Sequence, residues 1–171
     1  MQTNHESPPK RSYNFRALWS LFLIAGLIFI SDQIVKTIAV SNLAIGESWA
    51  PVPALERVFK FTHITHTGAA FGLFQNSGIV FIVVALVVSG VIIYYYPSVN
   101  NWTVRISLAL QLGGAISNVW DRIFNGGEVV DYVDIGFWPI FNIADLAIVT
   151  GVGMLAFWLW QVEEKRPQAK A

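Results

Sequence analysis

Four long apolar stretches constrain the fold of this chain more than any other feature of its sequence. They cover residues 17–35, 78–96, 104–120 and 140–160, and each approaches the roughly 20 residues that a helix needs to cross a bilayer. Only 13% of the residues are charged, whereas soluble domains carry about 25%. We therefore expect an all-α membrane protein, a four-transmembrane-helix bundle forming one domain over residues 1–171, with solvated tails at 1–13 and 163–171.

The distribution of Lys and Arg predicts the orientation, because cytoplasmic segments of membrane proteins carry an excess of both. Four spans place both termini on one side, and that side has seven of the eleven basic residues: Lys10, Arg11, Arg16, Arg105, Lys165, Arg166 and Lys170. We expect both termini in the cytoplasm. The outer segments 37–77 and 121–139 contain alternating stretches typical of strands, and we expect them to form a small β-sheet on the outer side.

Composition excludes several kinds of site. The chain has no cysteine and a formal net charge of zero, so thiol nucleophiles and disulfides are excluded, and no basic stripe indicates nucleic acid. Its three histidines, His5, His63 and His66, lack zinc-site spacing and form no credible Ser-His-Asp arrangement. We expect neither a metal nor a cofactor.

All five aspartates fall on the predicted outer side: Asp32, Asp121, Asp131, Asp134 and Asp145. Asp145 lies about one turn inside an apolar span, where ionisable side chains are costly and usually functional. Asn142 and Asp145 also fit a capping box at a helix start. The two interpretations are compatible, since a helix N-terminus also favours a carboxylate.

The third apolar stretch has a polar face. Small and polar residues recur on it at spacings of four, three and four, which place them on one side of a helix: Ser107, Gln111, Gly114 and Asn118. Such residues are common where membrane helices pack, and we expect that role for the first two. Asn118, together with Asp121 and Arg122 at the helix end, lies at the level of the acids, where we expect a supporting role.

Two upstream features leave alternatives open. Asp32 and Lys36 are four residues apart and can pair on one helix face, either as a structural ion pair or to hold substrate or active-site loops. Segment 65–72 is rich in small residues that allow close backbone approach. It is either a tight loop or a surface that grips an extended peptide.

The remaining chemistry is that of two carboxylates. Two acids a few ångströms apart do not both ionise readily, so one retains a proton. The ionised acid then activates water while the neutral acid donates a hydrogen bond to the scissile carbonyl. Asp131 and Asp145 form the natural pair. Asp134 is the rival of Asp131, and the two point to opposite faces of a strand, so the residues alone do not choose between them.

Five short motifs, in this order, resemble those of the lipoprotein signal peptidase (signal peptidase II) family. They are Ser31-Asp32-Gln33-x-x-Lys36, Thr67-Gly-Ala-Ala-Phe-Gly72, Asn118-Val-Trp-Asp121-Arg122, Val129-Val-Asp131-Tyr-Val-Asp134 and Phe141-Asn142-Ile-Ala-Asp145. The resemblance implies a bacterial inner-membrane aspartyl endopeptidase that removes signal peptides immediately before a diacylglyceryl-modified cysteine. It also implies that Asp131 and Asp145 are the catalytic acids.

The same resemblance assigns supporting or substrate-binding roles to a further set of positions: Asp32, Lys36, His66, Gly68, Asn118, Arg122 and Asn142. Two departures from the family pattern stand out. His66 occupies a position where the family usually has Asn, and its charge varies near neutral pH, so we expect a shifted pH dependence. The loop from Arg122 to Asp131 is one residue longer than usual, around Gly126-Gly127.

The partners implied are a lipid-modified prolipoprotein and membrane lipids, and we expect a monomer that does not bind nucleic acid. The rival interpretations are a proton-coupled transporter and a non-enzymatic membrane scaffold. A transporter favours acids near the bilayer midplane and interrupted helices. A scaffold has little reason to place Asn142 and Asp145 at the entrance of an apolar span.

Overall fold

The computed structural model describes residues 16–68 and 78–165. These segments contain helices α1 (Ala17–Asn42), α2 (Gly78–Tyr95), α3 (Trp102–Phe124) and α4 (Ile143–Glu164). They also contain strands β1 (Ser48–Trp49), β2 (Lys60–His66) and β3 (Val129–Asp134). The predicted tail 1–13 lies outside the described residues, as do residues 166–171 of the predicted tail 163–171. Glu163 and Glu164 of that tail belong instead to α4, and Lys165 is its C-cap.

Three of the described helices are long and apolar enough to cross a membrane. They are α1, α2 with the 3-10 turn that follows it to Ser98, and α4. Many of their large apolar side chains are exposed, as at Leu27, Val87 and Val149, which is the pattern of helices that face lipid. The prediction of a mostly helical membrane protein with a small sheet is confirmed.

Helix α3 lies at the centre of the fold and packs against the other three helices. Gly113 and Gly114 make two of these approaches possible, because consecutive helical residues face different neighbours. A Cβ atom on Gly113 would lie 2.6 Å from the carbonyl oxygen of Ala25 in α1, and one on Gly114 would collide with the carbonyl oxygen of Ala144 in α4. The polar face predicted for α3 therefore packs on α4.

The three strands form one antiparallel sheet in the order β1-β2-β3. His63 in β2 joins this sheet to α1, because its Nδ1 atom donates to the carbonyl oxygen of Leu43 over 2.8 Å, immediately after the last residue of α1. After β3 the chain turns back, and Val133 pairs with Phe141. This pairing brings the start of α4 beside β3, and with it Asp145 close to Asp131.

Candidate active site

Asn142 connects the start of α4 to β3. It is the N-cap of α4, and its side-chain oxygen accepts a 2.7 Å hydrogen bond from the backbone N–H of Asp145. Because an amide has one oxygen and one NH₂ group, this bond turns Nδ2 towards β3, where it donates to Oδ1 of Asp131 over 2.7 Å. The predicted cap therefore forms, and the NH₂ group of the same side chain binds a carboxylate of the site.

Asn118 on α3 orients the second carboxylate. Its oxygen accepts from the ammonium of Lys36 over 3.1 Å and from Nδ2 of Asn142 over 3.1 Å. Its Nδ2 group donates to Oδ1 of Asp145 over 2.7 Å. An ammonium is only a donor, so Lys36 fixes which way the Asn118 amide faces. A continuous path of hydrogen bonds thus joins Asp131 to Asp145 through the two asparagines.

Asp32 and Lys36 form the predicted ion pair, at 2.7 Å. The Asp32 carboxylate is fully buried, and it accepts hydrogen bonds from Ser117, from the hydroxyl of Tyr132 and from the backbone N–H of Ala144. Burial and the neighbouring Asp32 charge raise the pKa of Tyr132, which therefore stays a neutral donor. Through these contacts the pair holds β3 and the first turn of α4.

Asp121 is a second buried partner of Lys36, at 2.7 Å. It also accepts from Gln33 over 2.7 Å and from the backbone N–H of Val130 over 3.1 Å. The bond to Val130 fixes the residue that precedes Asp131. This anchoring role of Asp121 was not predicted from the sequence, nor were those of Gln33, Ser117 and Tyr132.

A signal for part of this network is present in the sequence. Gly113, Ser117 and Asp121 recur at a spacing of four, which places them on one helix face. This second stripe faces α1, where Gly113 meets Ala25 and the other two bond Gln33. The stripe predicted from the sequence, which contains Gly114 and Asn118, faces α4.

His66, at the end of β2, contacts Asp131 directly. Its Nε2 atom lies 2.9 Å from Oδ2 of the carboxylate, and its Nδ1 atom lies 2.9 Å from the carbonyl oxygen of Gly68. The hydrogen bond with Asp131 raises the pKa of His66, and burial lowers it. The negative charges of Asp131 and Asp145 raise the pKa further, so that the net change is an increase. Arg122 donates to the same Gly68 carbonyl over 3.2 Å. Residues 69–72, the rest of this predicted motif, lie outside the described residues.

Asp134 belongs to a different environment. Its carboxylate accepts from Thr62 over 3.1 Å and lies 3.6 Å from the ammonium of Lys60. Asp131, in contrast, is paired in register with Ile64 of β2 and is only 3% exposed. The geometry thus brings Asp131, and not Asp134, into the network that contains Asp145.

A comparison with known families identifies the protein class. The family model described as signal peptidase (SPase) II matches residues 24–161. The chain belongs to the signal peptidase II family. The resemblance stated from the five motifs is confirmed, and the protein is a peptidase.

Relatives and solved structures agree with this membership. The lipoprotein signal peptidase of Halothermothrix orenii is 37% identical over 145 residues, which cover 84% of this chain and 97% of the relative. That of Moorella thermoacetica is 40% identical over 142 residues, covering 82% and 90%. A bacterial membrane enzyme solved in meso at 2.3 Å resolution superposes with a TM-score of 0.81 at 25% identity, covering 95% of this chain and 99% of that one. Another, at 1.9 Å, gives 0.74 at 27% identity, covering 88% and 97%.

In this signal peptidase II family member, one network of hydrogen bonds and ion pairs connects the nine residues to which the family resemblance gives a role: Asp32, Lys36, His66, Gly68, Asn118, Arg122, Asp131, Asn142 and Asp145. Gly126 and Gly127 both adopt positive φ in the turn between α3 and β3, so the longer loop leaves Asp131 in the strand. In residues 16–68 and 78–165, no group of three or more His, Asp or Glu side chains has the arrangement of a metal site.

Proposed function

We propose that this protein removes signal peptides from diacylglyceryl-modified prolipoproteins, with water activated by Asp131 and Asp145. The observation that carries the proposal is the path from one carboxylate to the other through Asn142 and Asn118, in which both asparagines donate to an acid over 2.7 Å. The relatives named lipoprotein signal peptidase support the substrate class.

The chemistry follows from the pairing of the acids. When one carboxyl is ionised and the other neutral, the ionised acid takes a proton from water as the water attacks the scissile carbonyl. The neutral acid donates a hydrogen bond to the carbonyl oxygen, and the acids exchange roles as the tetrahedral intermediate collapses. Fixed donors at Asp131 and Asp145 keep the carboxylates oriented, so little reorganisation is needed in the transition state.

The four helices cross the bacterial inner membrane in this proposal, with both termini in the cytoplasm. Polar side chains of α3 face α1 and α4 through Gln33, Lys36 and Asp145, while Trp120 and Ile123 are exposed. This arrangement suits a span whose costly groups are kept away from lipid.

The sheet and the acids then lie together near the outer face. His63 holds β2 to the end of α1, and Asp32, ten residues before that end, holds the start of α4. A peptide exposed on the outer side reaches this level, and a lipid attached to its cysteine stays in the bilayer beside the helices. The enzyme acts as a monomer in contact with membrane lipids.

The test of the function uses the full chain in detergent with a diacylglyceryl-modified prolipoprotein. The matched control is the same precursor with its modifiable cysteine replaced by serine. We expect cleavage directly before the modified cysteine, seen by the mass of the products, and none of the control. A folded chain that cleaves neither, or cleaves both equally, contradicts the proposal.

The orientation is tested separately by labelling single cysteines, since the chain has none of its own. Glu56→Cys lies between β1 and β2, and Asn100→Cys lies between α2 and α3; both positions are exposed. In intact cells an impermeant maleimide should label the first and not the second. The reverse pattern contradicts the orientation.

A further inference from the structure

The contact between His66 and Asp131 requires a proton on one of the two side chains. Nδ1 of His66 lies 2.9 Å from the carbonyl oxygen of Gly68, and a carbonyl only accepts, so Nδ1 carries a hydrogen. Nε2 lies 2.9 Å from Oδ2 of Asp131. A neutral imidazole with its hydrogen on Nδ1 can only accept a hydrogen bond at Nε2, and an ionised carboxylate can only accept at its oxygens. Two acceptors do not bond each other. This contact therefore needs one further proton, held by His66 or by Asp131.

We propose that His66 holds this proton and is a positioning residue that keeps Asp131 ionised, which leaves Asp145 as the acid that carries the proton of the pair. The inference rests on the proposed function and deepens it, because it assigns Asp131 as the base that activates water and Asp145 as the donor to the scissile carbonyl.

The hydrogen bonds at the two carboxylates differ in the way this assignment requires. Both oxygens of Asp131 have a nitrogen partner: Oδ1 accepts from Nδ2 of Asn142, and Oδ2 lies 2.9 Å from Nε2 of His66, which donates to it when His66 holds the proton. Donors to both oxygens favour the ionised form of a carboxyl, and each oxygen keeps a second lone pair for the proton of water. Within residues 16–68 and 78–165, Asp145 accepts at Oδ1 only, from Asn118.

The charges around His66 come from three elements and favour the imidazolium. The hydrogen bond with Asp131 on β3 and the negative charge of that carboxylate raise the pKa of His66 above its ordinary 6.5, against the opposing effect of burial, and Asp145 on α4 adds to the increase only when it is ionised. Arg122 on α3 is positive, and it shares the Gly68 carbonyl with His66, to which it donates over 3.2 Å. The carbonyl thus separates the two cations.

A purely structural role for His66 makes a different prediction. His66→Asn supplies the residue usual in the family and retains a neutral hydrogen-bond donor, but it removes the charge. If His66 served only as a donor, this variant would have the pH profile of the native enzyme. If His66 holds Asp131 ionised, the acidic limb of kcat/KM, which reports ionisation of the free enzyme, should lie about one pH unit higher in the variant.

The first experiment compares kcat/KM against pH for the native enzyme and His66→Asn. One unit of displacement is about tenfold in rate on the acidic limb, and the ratio of native to variant rates should decrease to a constant value as the pH rises above the acidic limb of the variant. Superimposable profiles overturn the inference. The apparent values belong to the coupled groups together, so only the displacement between the two enzymes is interpreted.

The second experiment needs no substrate. Nitrogen-15 spectra of histidine-labelled protein in detergent give the titration midpoint of His66, assigned by the loss of its signals in His66→Asn. Asp131→Asn should lower that midpoint by about one unit or more, and Asp134→Asn, on the same strand, should leave it unchanged. A midpoint unaffected by Asp131→Asn overturns the inference. Absence of cleavage by the native chain would instead overturn the proposed function, so the two failures are distinguishable.

Discussion

The side-chain amides of Asn118 and Asn142 meet, with Nδ2 of Asn142 3.1 Å from Oδ1 of Asn118. Neither amide is free to turn over, because the oxygen of Asn142 accepts the backbone N–H of Asp145 and the oxygen of Asn118 accepts the ammonium of Lys36. Each then donates to one proposed catalytic acid. The spacing of the two carboxylates is therefore determined by a pair of neutral side chains.

Asn142 has two roles that one pair of substitutions separates. Serine caps a helix about as well as asparagine, whereas alanine costs about 1 kcal/mol, so Asn142→Ser should be more stable than Asn142→Ala by about that amount. Both lose the hydrogen bond to Asp131. A hydrogen bond to a charged group is worth about 1.5–3 kcal/mol, which predicts kcat lower by about 10- to 100-fold in both. A serine variant with native kcat would contradict the role of Asn142 at Asp131.

Lys36 neutralises two buried carboxylates, those of Asp32 and Asp121. Lys36→Met should destabilise the protein by about 3–5 kcal/mol, because it leaves buried charge without compensation. Adding Asp121→Asn should recover part of that loss. The matched control is Lys60→Met, since Lys60 is partly exposed at 3.6 Å from Asp134 and such pairs contribute at most about 1 kcal/mol. Thermal unfolding in detergent measures the stability of the two single variants and of the double variant. Equal stability of Lys36→Met and Lys60→Met would contradict this role of Lys36.

Gly114 sets the distance between α3 and the start of α4. A Cβ atom there would also lie 2.8 Å from Cγ1 of Ile148, so Gly114→Ala should displace α4 and its Asp145. Overpacking of this kind costs about 1–3 kcal/mol, and we expect loss of both stability and cleavage rate. Gly90→Ala on α2 meets nothing within 4 Å and should be neutral or slightly stabilising. Equal effects of the two alanines on cleavage would count against this packing.

The stability of the fold should depend on pH through His66. Its folded pKa is raised above 6.5, so the stabilisation is fully present below that pH and is lost as the pH rises through the folded value. The melting temperature of the native protein relative to His66→Asn should therefore be highest in acid and decline towards alkaline pH. A difference in melting temperature that is constant over this pH range would show that folding does not raise the pKa of His66.

The sequence identifies groups whose signal is local. Asn142 and Asp145 are three residues apart, and Asp32 and Lys36 are four apart, so helix geometry predicts the cap and the ion pair that the structure contains. The choice of Asp131 over Asp134 came from the family resemblance. A strand pattern predicts that both residues lie in one strand, but it does not say which side chains each of them contacts.

Several groups whose partners are distant in the chain were not predicted. Tyr132 bonds Asp32 across 100 positions, and Gln33 bonds Asp121 across 88. These contacts depend on how α1, α3 and β3 pack, which periodicity does not specify. The stripe of Gly113, Ser117 and Asp121 predicts a second packing face of α3, yet it does not say which helix covers that face.

The most direct test of the acid pair is cleavage of a diacylglyceryl-modified prolipoprotein by Asp131→Asn, Asp145→Asn and Asp134→Asn, each shown to be folded by thermal unfolding. Removing either acid of the pair should lower kcat by about 100- to 10,000-fold, which is the usual contribution of acid–base catalysis. Asp134→Asn should retain most of the native rate. Near-native cleavage by either of the first two variants, or loss only in the third, would contradict the assignment of Asp131 and Asp145.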